Sequence, residues 1–497
     1  MKDAVAAVAT AARRLSREGP AGSTAGCAAF LEAASTLRVA LNDGSIFRSL
    51  PGETRREAAT ALGEALSHAA AAGLCAARRA PLSPELVAAE ADAVRRAGEL
   101  YREAATVFES ICHPSAGAEG ADTQVMAEAT TAAANALAAW GELLTPPSAA
   151  RAVLARAAAA YEAAVHLERR AEESPGGGDA GGGGGGGAAS LNGTLPSSED
   201  LLPALWNLAD ARVKCAECAG DAGDRDAARR AFDAAFETFN EACGRADSQA
   251  GDDLGGLLYD WGCGLVAAAG NLTEMVKEGD ASRAEEAFHA ARAALDAADE
   301  KLRHAAEFSP GAAEPLNALG EALQQRTELL RARANRLSFA SAEAVVAAAA
   351  EVDAPLTRAL APDGGAFGGA LRVDAANRDA MVGVAEVHSE RGRVARWAAE
   401  RLPPGRERDA SLDAAAQHFR RGWDAFRRVL AAAANDAGDP GSTADRLGVV
   451  YNAACGAHLA GCSQDAAALL RQVISCGGAT VQGVADDEDL RGLPPIG

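Results

Sequence analysis

Apolar positions recur at three- and four-residue intervals along most of the chain, and strict alternation is nearly absent. The first spacing lines up side chains on one helix face; alternation would have marked strands. Helices are therefore predicted over residues 2–18, 25–41, 52–79, 84–112, 122–144 and 148–172. Further helices are predicted over 199–219, 224–245, 253–270, 281–307, 312–334, 340–361, 378–400, 408–434, 443–460 and 463–476. Pro81, Pro114, Pro146, Pro147, Pro310, Pro403, Pro404 and Pro440 all fall between these segments, where a missing N–H costs least. The expected fold class is all-α.

Composition narrows the kind of helical packing. Apolar residues make up 48% of the chain but aromatics only 4%, with Ala dominant. Ala and Leu favour helices, and a core built from them must bring helix axes close together. Residues 297–323 show how. Ala298, Ala305 and Gly320 permit close contact, Leu302, Leu316, Leu319 and Leu323 supply bulk, and Pro310 separates the two helices.

These positions resemble the signature of the tetratricopeptide repeat family. The likeness recurs at Ala97, Tyr101 and Ala104; Ala157, Tyr161 and Ala164; and Ala235, Phe239 and Ala242, all second-helix patterns. First-helix patterns are Leu137, Trp140, Gly141 and Leu144; Leu205, Leu208, Ala209 and Arg212; and Leu258, Trp261, Gly262 and Leu265. Phe367, Ala370 and residues 381–388 form a weaker copy, and residues 451–477 resemble a last repeat followed by an acidic segment, 485–493. The resemblance implies an α-solenoid of stacked antiparallel hairpins. It implies an irregular one, because the family repeat is about 34 residues whereas Gly262 and Gly320 are 58 apart and Leu208 and Trp261 are 53 apart. Longer helices or inserted loops must absorb the difference, and residues 270–286 are the expected insert.

The resulting organisation is an N-terminal helical region, 1–95; repeat-like helices, 96–173; a Gly-rich tether, 174–198; further repeats, 199–477; and a tail, 478–497. The tether is not a phosphate loop. No Gly-Lys-Ser/Thr follows it, and no Lys lies between Lys2 and Lys214.

A formal net charge of -21 argues against nucleic acid as a partner. Positive charge is almost all Arg, and it concentrates at Arg391, Arg393, Arg396, Arg420, Arg421, Arg427 and Arg428. That stretch is expected either to dock an acidic partner or to dock onto this chain's own acidic segments.

Candidate chemistry is sparse. Cys215 and Cys218 form a Cys-x-x-Cys pair inside a predicted helix, and completing a zinc site would need Cys243 and Cys263 nearby; they are read as core thiols. The eight His are read as isolated, and none falls in a metalloprotease or hydrolase motif. No catalytic, cofactor or metal residues are expected, and no apolar run reaches membrane-spanning length. The N-terminal stretch reads as an ordinary helix, with an organelle transit peptide as the alternative. The Cys usage points to an intracellular, reducing compartment, taken as cytoplasmic.

The resemblance further implies a concave groove lined by first helices. Its positions in this chain include Glu142, Trp206, Asp210, Tyr259, Asn317, Glu321 and Glu386. Four of these are acidic, with Trp206 and Tyr259 expected as neighbouring aromatic anchors, so a basic, partly extended peptide is the expected partner. The family subclass that grips a terminal carboxylate is disfavoured, because its Lys and Asn positions are not matched. The expected function is that of a non-catalytic protein-interaction scaffold or assembly factor. The alternatives are an RNA-binding helical array and an enzyme whose site lies in residues 1–95.

Overall fold

In the computed structural model, residues 24–42, 52–78, 83–112, 123–173, 201–249, 253–361, 365–433 and 442–494 are described. The helix predicted at 2–18 and the Gly-rich stretch at 174–198 lie outside them. Among the described residues every regular element is helical.

The first helices are α1 (Thr24–Asn42), α2 (Gly52–Arg78), α3 (Pro84–Cys112), α4 (Thr123–Glu142), α5 (Pro147–Glu173), α6 (Leu201–Asp221) and α7 (Arg225–Gln249). There follow α8 (Asp253–Glu278), α9 (Ala281–Phe308), α10 (Glu314–Asn335), α11 (Ala342–Ala359), α12 (Ala366–Val373) and α13 (Arg378–Arg401). The chain ends with α14 (Arg406–Ala433), α15 (Thr443–Leu459), α16 (Ser463–Ser475), α17 (Val481–Asp486) and a 3-10 turn, Glu488–Leu490. They form two compact units, residues 1–77 with 91–250 and residues 78–90 with 251–497.

In each unit successive helices pack as hairpins. In the first, α4 packs on α5, α5 on α6 and α6 on α7, so the helices flanking the Gly-rich stretch share one stack. In the second, α8 pairs with α9, α13 with α14 and α15 with α16, while α10 bridges α9, α11 and α12. Gly223 and Gly461 end α6 and α15 with φ of 79° and 84°, the left-handed conformation that costs glycine least. The N–H of the following residue then reaches back to satisfy the carbonyls of Ala219 and Ala457, at 2.9 and 2.8 Å. Helix starts are capped by side chains as well: Asp280, Ser341 and Asn377 accept from the third backbone N–H, and Ser442 and Asp445 cap α15 reciprocally.

The alternation of small and bulky residues is what lets the hairpins nest. Ala97, Ala104, Ala157, Ala164, Ala235 and Ala242 are all 2% exposed or less. A Cβ on Gly141 would lie 2.7 Å from Leu154, and one on Gly262 would lie 2.6 Å from Leu302. Each bulky side chain of a second helix occupies the space left by the glycine of the first. Leu302 is fully buried in a core that includes Phe288, Leu295, Phe367, Val387 and Trp397, and burial of one such Leu contributes about 1.5–3 kcal/mol.

The insert expected at 270–286 is absent. Helix α8 continues to Glu278, and Gly279 and Asp280 alone connect it to α9. Thr273, a residue that often weakens helix interiors, is buried and donates to the Ala269 carbonyl at 2.8 Å, so the helix continues through it. The long repeat spacing therefore comes from helices of 26 and 28 residues. The short α12, α17 and the 3-10 turn were not expected from periodicity; each is too brief to repeat a pattern.

Candidate functional site

The second unit contains a groove of about 550 Å³. Helix α10 contributes Glu321, Gln324, Gln325 and Glu328, and α13 contributes Glu386, Ser389, Glu390 and Arg393. Both sets have the spacing i, i+3, i+4, i+7, which places each on one face of its helix. Val266 of α8, Phe426 of α14 and Asn452 of α15 complete the lining, with Arg331 at the end of the α10 stripe.

The groove's charges are arranged unevenly. At one end Arg331 meets Glu390 at 2.7 Å, and Glu390 meets Arg393 at 3.0 Å. Glu328 is held by Lys277 at 2.6 Å. Glu386 accepts from the Asn452 amide at 2.9 Å, an uncharged partner. Glu321 stands at the rim, and among the described residues no Lys or Arg pairs with it. Partial burial against the groove wall raises the pKa of Glu321, and the nearby carboxylates Asp379 and Glu386 raise it further. Glu321, Asp379 and Glu386 thus form a negative end that an incoming cation would relieve.

The other expected groove positions have different roles. Asn317 is buried and donates to Asn377 at 3.0 Å, steadying the residue that caps α13, and it does not line the groove. Tyr259 packs half-buried against the core beside Cys263. Trp206, half-buried on α6, belongs to the first unit and Tyr259 to the second. In the first unit Lys214 reaches Asp210 at 2.7 Å and also bonds Glu142. Burial opposes the charge on Lys214, but Asp210 and Glu142 outweigh it and raise its pKa. Those two acids therefore share one cation within the chain.

The basic stretch divides between two settings. Arg391 grips Asp353 with two bonds of 2.8 Å. Arg393 donates to Asp489 at 2.6 and 3.0 Å, and Arg396 joins the same carboxylate at 3.3 Å. These three are spent on the chain's own acids, two of them on the acidic C-terminal segment. Arg420, Arg421, Arg427 and Arg428 lie exposed on α14. Arginines on α10 and at its C-cap are also paired within the chain: Arg326 with Asp296, Arg333 with Glu285, and Arg336 donates to the Val276 carbonyl.

Burial pushes the Cys215 thiol up to about 11, with Cys218 adding to the effect, so Cys215 stays protonated at neutral pH. Among the described residues no three His, Cys, Asp or Glu side chains are grouped to hold a metal ion. The expectation that each His is isolated fails for two of them. His388 and His418 stack with centroids 5.8 Å apart and planes inclined by 27°. They lie thirty residues apart on neighbouring helices, so no local spacing marks them. Gln324, Gln325 and Glu328 were likewise missed as groove residues, although their spacing from Glu321 carries the signal. A second, mostly apolar cavity of 670 Å³ lies in the first unit, lined by Met126, Ala133, Ala160, Ala163 and Leu167 with Glu109, His166 and Arg170 at its edges.

No family model matches the chain, and no curated protein matches it significantly. Among solved structures, a circular tandem repeat protein of novel repeat topology is similar over 97% of this chain and 94% of its own, at 17% identity and a TM-score of 0.29. A monomeric IFIT1 mutant with m7Gppp-AAAA is similar over 90% of this chain and 87% of its own, at 12% identity and a TM-score of 0.25. The human IFIT1 dimer with m7Gppp-AAAA is similar over 91% and 86%, at 12% identity and a TM-score of 0.24. Scores this low carry no inference about function. The stacked hairpins described above define the chain as an all-helical repeat protein. Among the described residues no helix is long and apolar enough to cross a membrane.

Proposed function

We propose that this is a non-catalytic protein-interaction scaffold of the tetratricopeptide type, whose second unit binds a partner segment bearing a basic side chain. The signature positions support the type: Gly262 receives Leu302, and Ala298, Leu302, Ala305 and Leu319 are all buried. One observation carries the binding reading. Glu321 is a groove carboxylate that no described Lys or Arg neutralises, with Asp379 and Glu386 close enough to raise its pKa. A Lys or Arg entering there gains charge pairing in a partly desolvated setting. Gln324, Gln325 and Asn452 line the same groove and offer amides to the backbone of an extended peptide. A phosphate backbone would meet the same carboxylates and be repelled.

The test uses the full chain and three labelled peptides of equal length carrying Arg, Gln or Glu at the central positions. Fluorescence anisotropy should show the Arg peptide binding best, and Glu321→Gln with Glu386→Gln should weaken it roughly tenfold or more. Equal affinity for all three peptides, or no loss in the double variant, would remove the groove from consideration.

A further inference from the structure

The charge at the other end of the groove is set by a segment far away in sequence. Arg393 lines the groove and shares its guanidinium between Glu390, inside it, and Asp489 of the 3-10 turn. Arg396 reaches the same carboxylate at 3.3 Å. Asp489 is 18% exposed in its side chain. Burial opposes its charge, but the two Arg overcome that and hold its carboxyl below the usual range.

The segment carrying Asp489 is lightly held. Tyr451 donates to Asp487 at 2.6 Å, and the His458 ring contacts the Arg491 carbonyl at 3.0 Å. Val484 and Leu490 are its buried apolar anchors, while Val481, Gln482 and Gly483 are exposed. Two buried anchors and the partly buried Leu493 remove far less apolar surface from water than a packed hairpin does, so the segment opens at lower free energy than the stack unfolds.

Lifting the segment leaves Arg393 beside a single carboxylate and Arg396 without its anion. A partly buried cation that loses its partner is costly, and another anion in the same place removes the cost. We propose that the C-terminal segment is an internal ligand of the groove: Asp489 fills an anion-recognising Arg393–Arg396 pair that an acidic side chain of the partner takes over. The inference rests on the groove reading above and extends it. The partner segment carries a basic residue for the Glu321 end and an acidic residue for the Arg393 end, and its binding releases the C-terminus.

The probes are three labelled peptides of equal length: one with an Arg only, one with a Glu only, and one with both. In the full chain, Asp489→Asn should strengthen binding of the peptides with Glu by roughly threefold to tenfold and leave the Arg-only peptide little changed. Asp489→Glu should behave as the parent does. Adding Arg396→Gln, a half-exposed position less prone to disturb folding than Arg393, should cancel the gain. In the parent chain, saturating two-charge peptide should speed amide exchange across 481–491. The proposal is overturned if Asp489→Asn leaves the Glu peptides unaffected, or if the segment's exchange is unmoved by bound peptide. Failure of the groove reading looks different: the Arg-only peptide then binds no variant, while capture of the Glu-only peptide by Asp489→Asn, lost with Arg396→Gln, still identifies the Arg pair.

Discussion

Gly320 and Phe367 meet so closely that a Cβ on the glycine would lie 2.3 Å from the ring's Cζ. Gly383, on the other side, would come equally close to the same ring. Phe367 is thus wedged between two helices that have no side chain at the contact, and α12 is fixed in the stack by that insertion. Alanine normally stabilises a helix over glycine by about 1 kcal/mol. Here overpacking dominates, so Gly320→Ala should cost about 1–3 kcal/mol. Gly448 is exposed on α15, and a Cβ there meets nothing within 4 Å. Gly448→Ala should therefore stabilise by up to about 1 kcal/mol. Urea unfolding midpoints moving in opposite directions would establish the contrast; a shared direction would refute it.

The Gly320–Phe367 contact also shows how far the sequence could be read. Helix positions follow from local periodicity, and the long helices α3, α9 and α13 fall within a residue or two of where apolar spacing puts them. That Gly262 and Leu302 each belong to a helix–helix contact was legible for the same reason, because both sit on the core face of their own helix; that they meet each other was not. Contacts that join side chains across helices were not. Arg393 and Asp489 are 96 residues apart, and Lys214 and Glu142 are 72 apart. Whether such charges meet depends on hairpin register and on where a long side chain turns, neither of which periodicity records. That is why the four acidic groove positions read from the sequence separate into a pair bridged by Lys214 in the first unit and a pair without a Lys or Arg partner among the described residues in the second.

The second pair makes binding sensitive to pH. With its pKa raised, Glu321 loses its charge at a higher pH than an ordinary glutamate does. Affinity for an Arg-containing peptide should rise as pH increases from acidic values through that raised pKa, then level off. Glu321→Gln should flatten the acid limb. Titration calorimetry across pH 4–7.5, an interval of roughly the unperturbed carboxylate and His range, would measure it, and a pH-independent parent chain would contradict the assignment.

Lys214 predicts the converse for the first unit. Its Nζ serves both Asp210 and Glu142, and the side chain is 31% exposed. Lys214→Met removes the shared cation and leaves two carboxylates facing each other, near Tyr161, whose own pKa burial and those carboxylates already raise. The variant should lose about 1 kcal/mol of stability at neutral pH and recover part of it in high salt, since screening weakens the repulsion. Thermal unfolding at low and high ionic strength would read this out. A variant as stable as the parent in low salt would mean that the two acids do not depend on Lys214.

The His388–His418 pair yields a prediction whose sign can be fixed. Burial, followed by His418, Arg391, Arg421 and Arg428 in that order, together lower the pKa of His388 to about 4. Burial also lowers that of His418, with Arg391 and Arg421 reinforcing the shift and Asp353 opposing it. The Nδ1 atoms of both rings are buried without a hydrogen-bond partner, so the folded protein holds the two rings neutral and stacked. An unfolded chain protonates these His near pH 6.5. Between that value and about 4, unfolding takes up protons that the folded state refuses. The folded state is at no disadvantage above pH 6.5, loses stability as pH falls through this window, and loses no more from His388 once the folded ring also protonates. Because the rings are only half-buried, solvent screening reduces the effect to about 1–2 kcal/mol. His388→Phe keeps a stacked ring and removes the proton site, so the variant should be more stable than the parent at pH 4.5 relative to their difference at pH 7.5, as roughly bracketed by the unperturbed His value. Equal pH dependence of the two unfolding curves would show that His388 is already protonated in the folded protein and that the stack tolerates the charge.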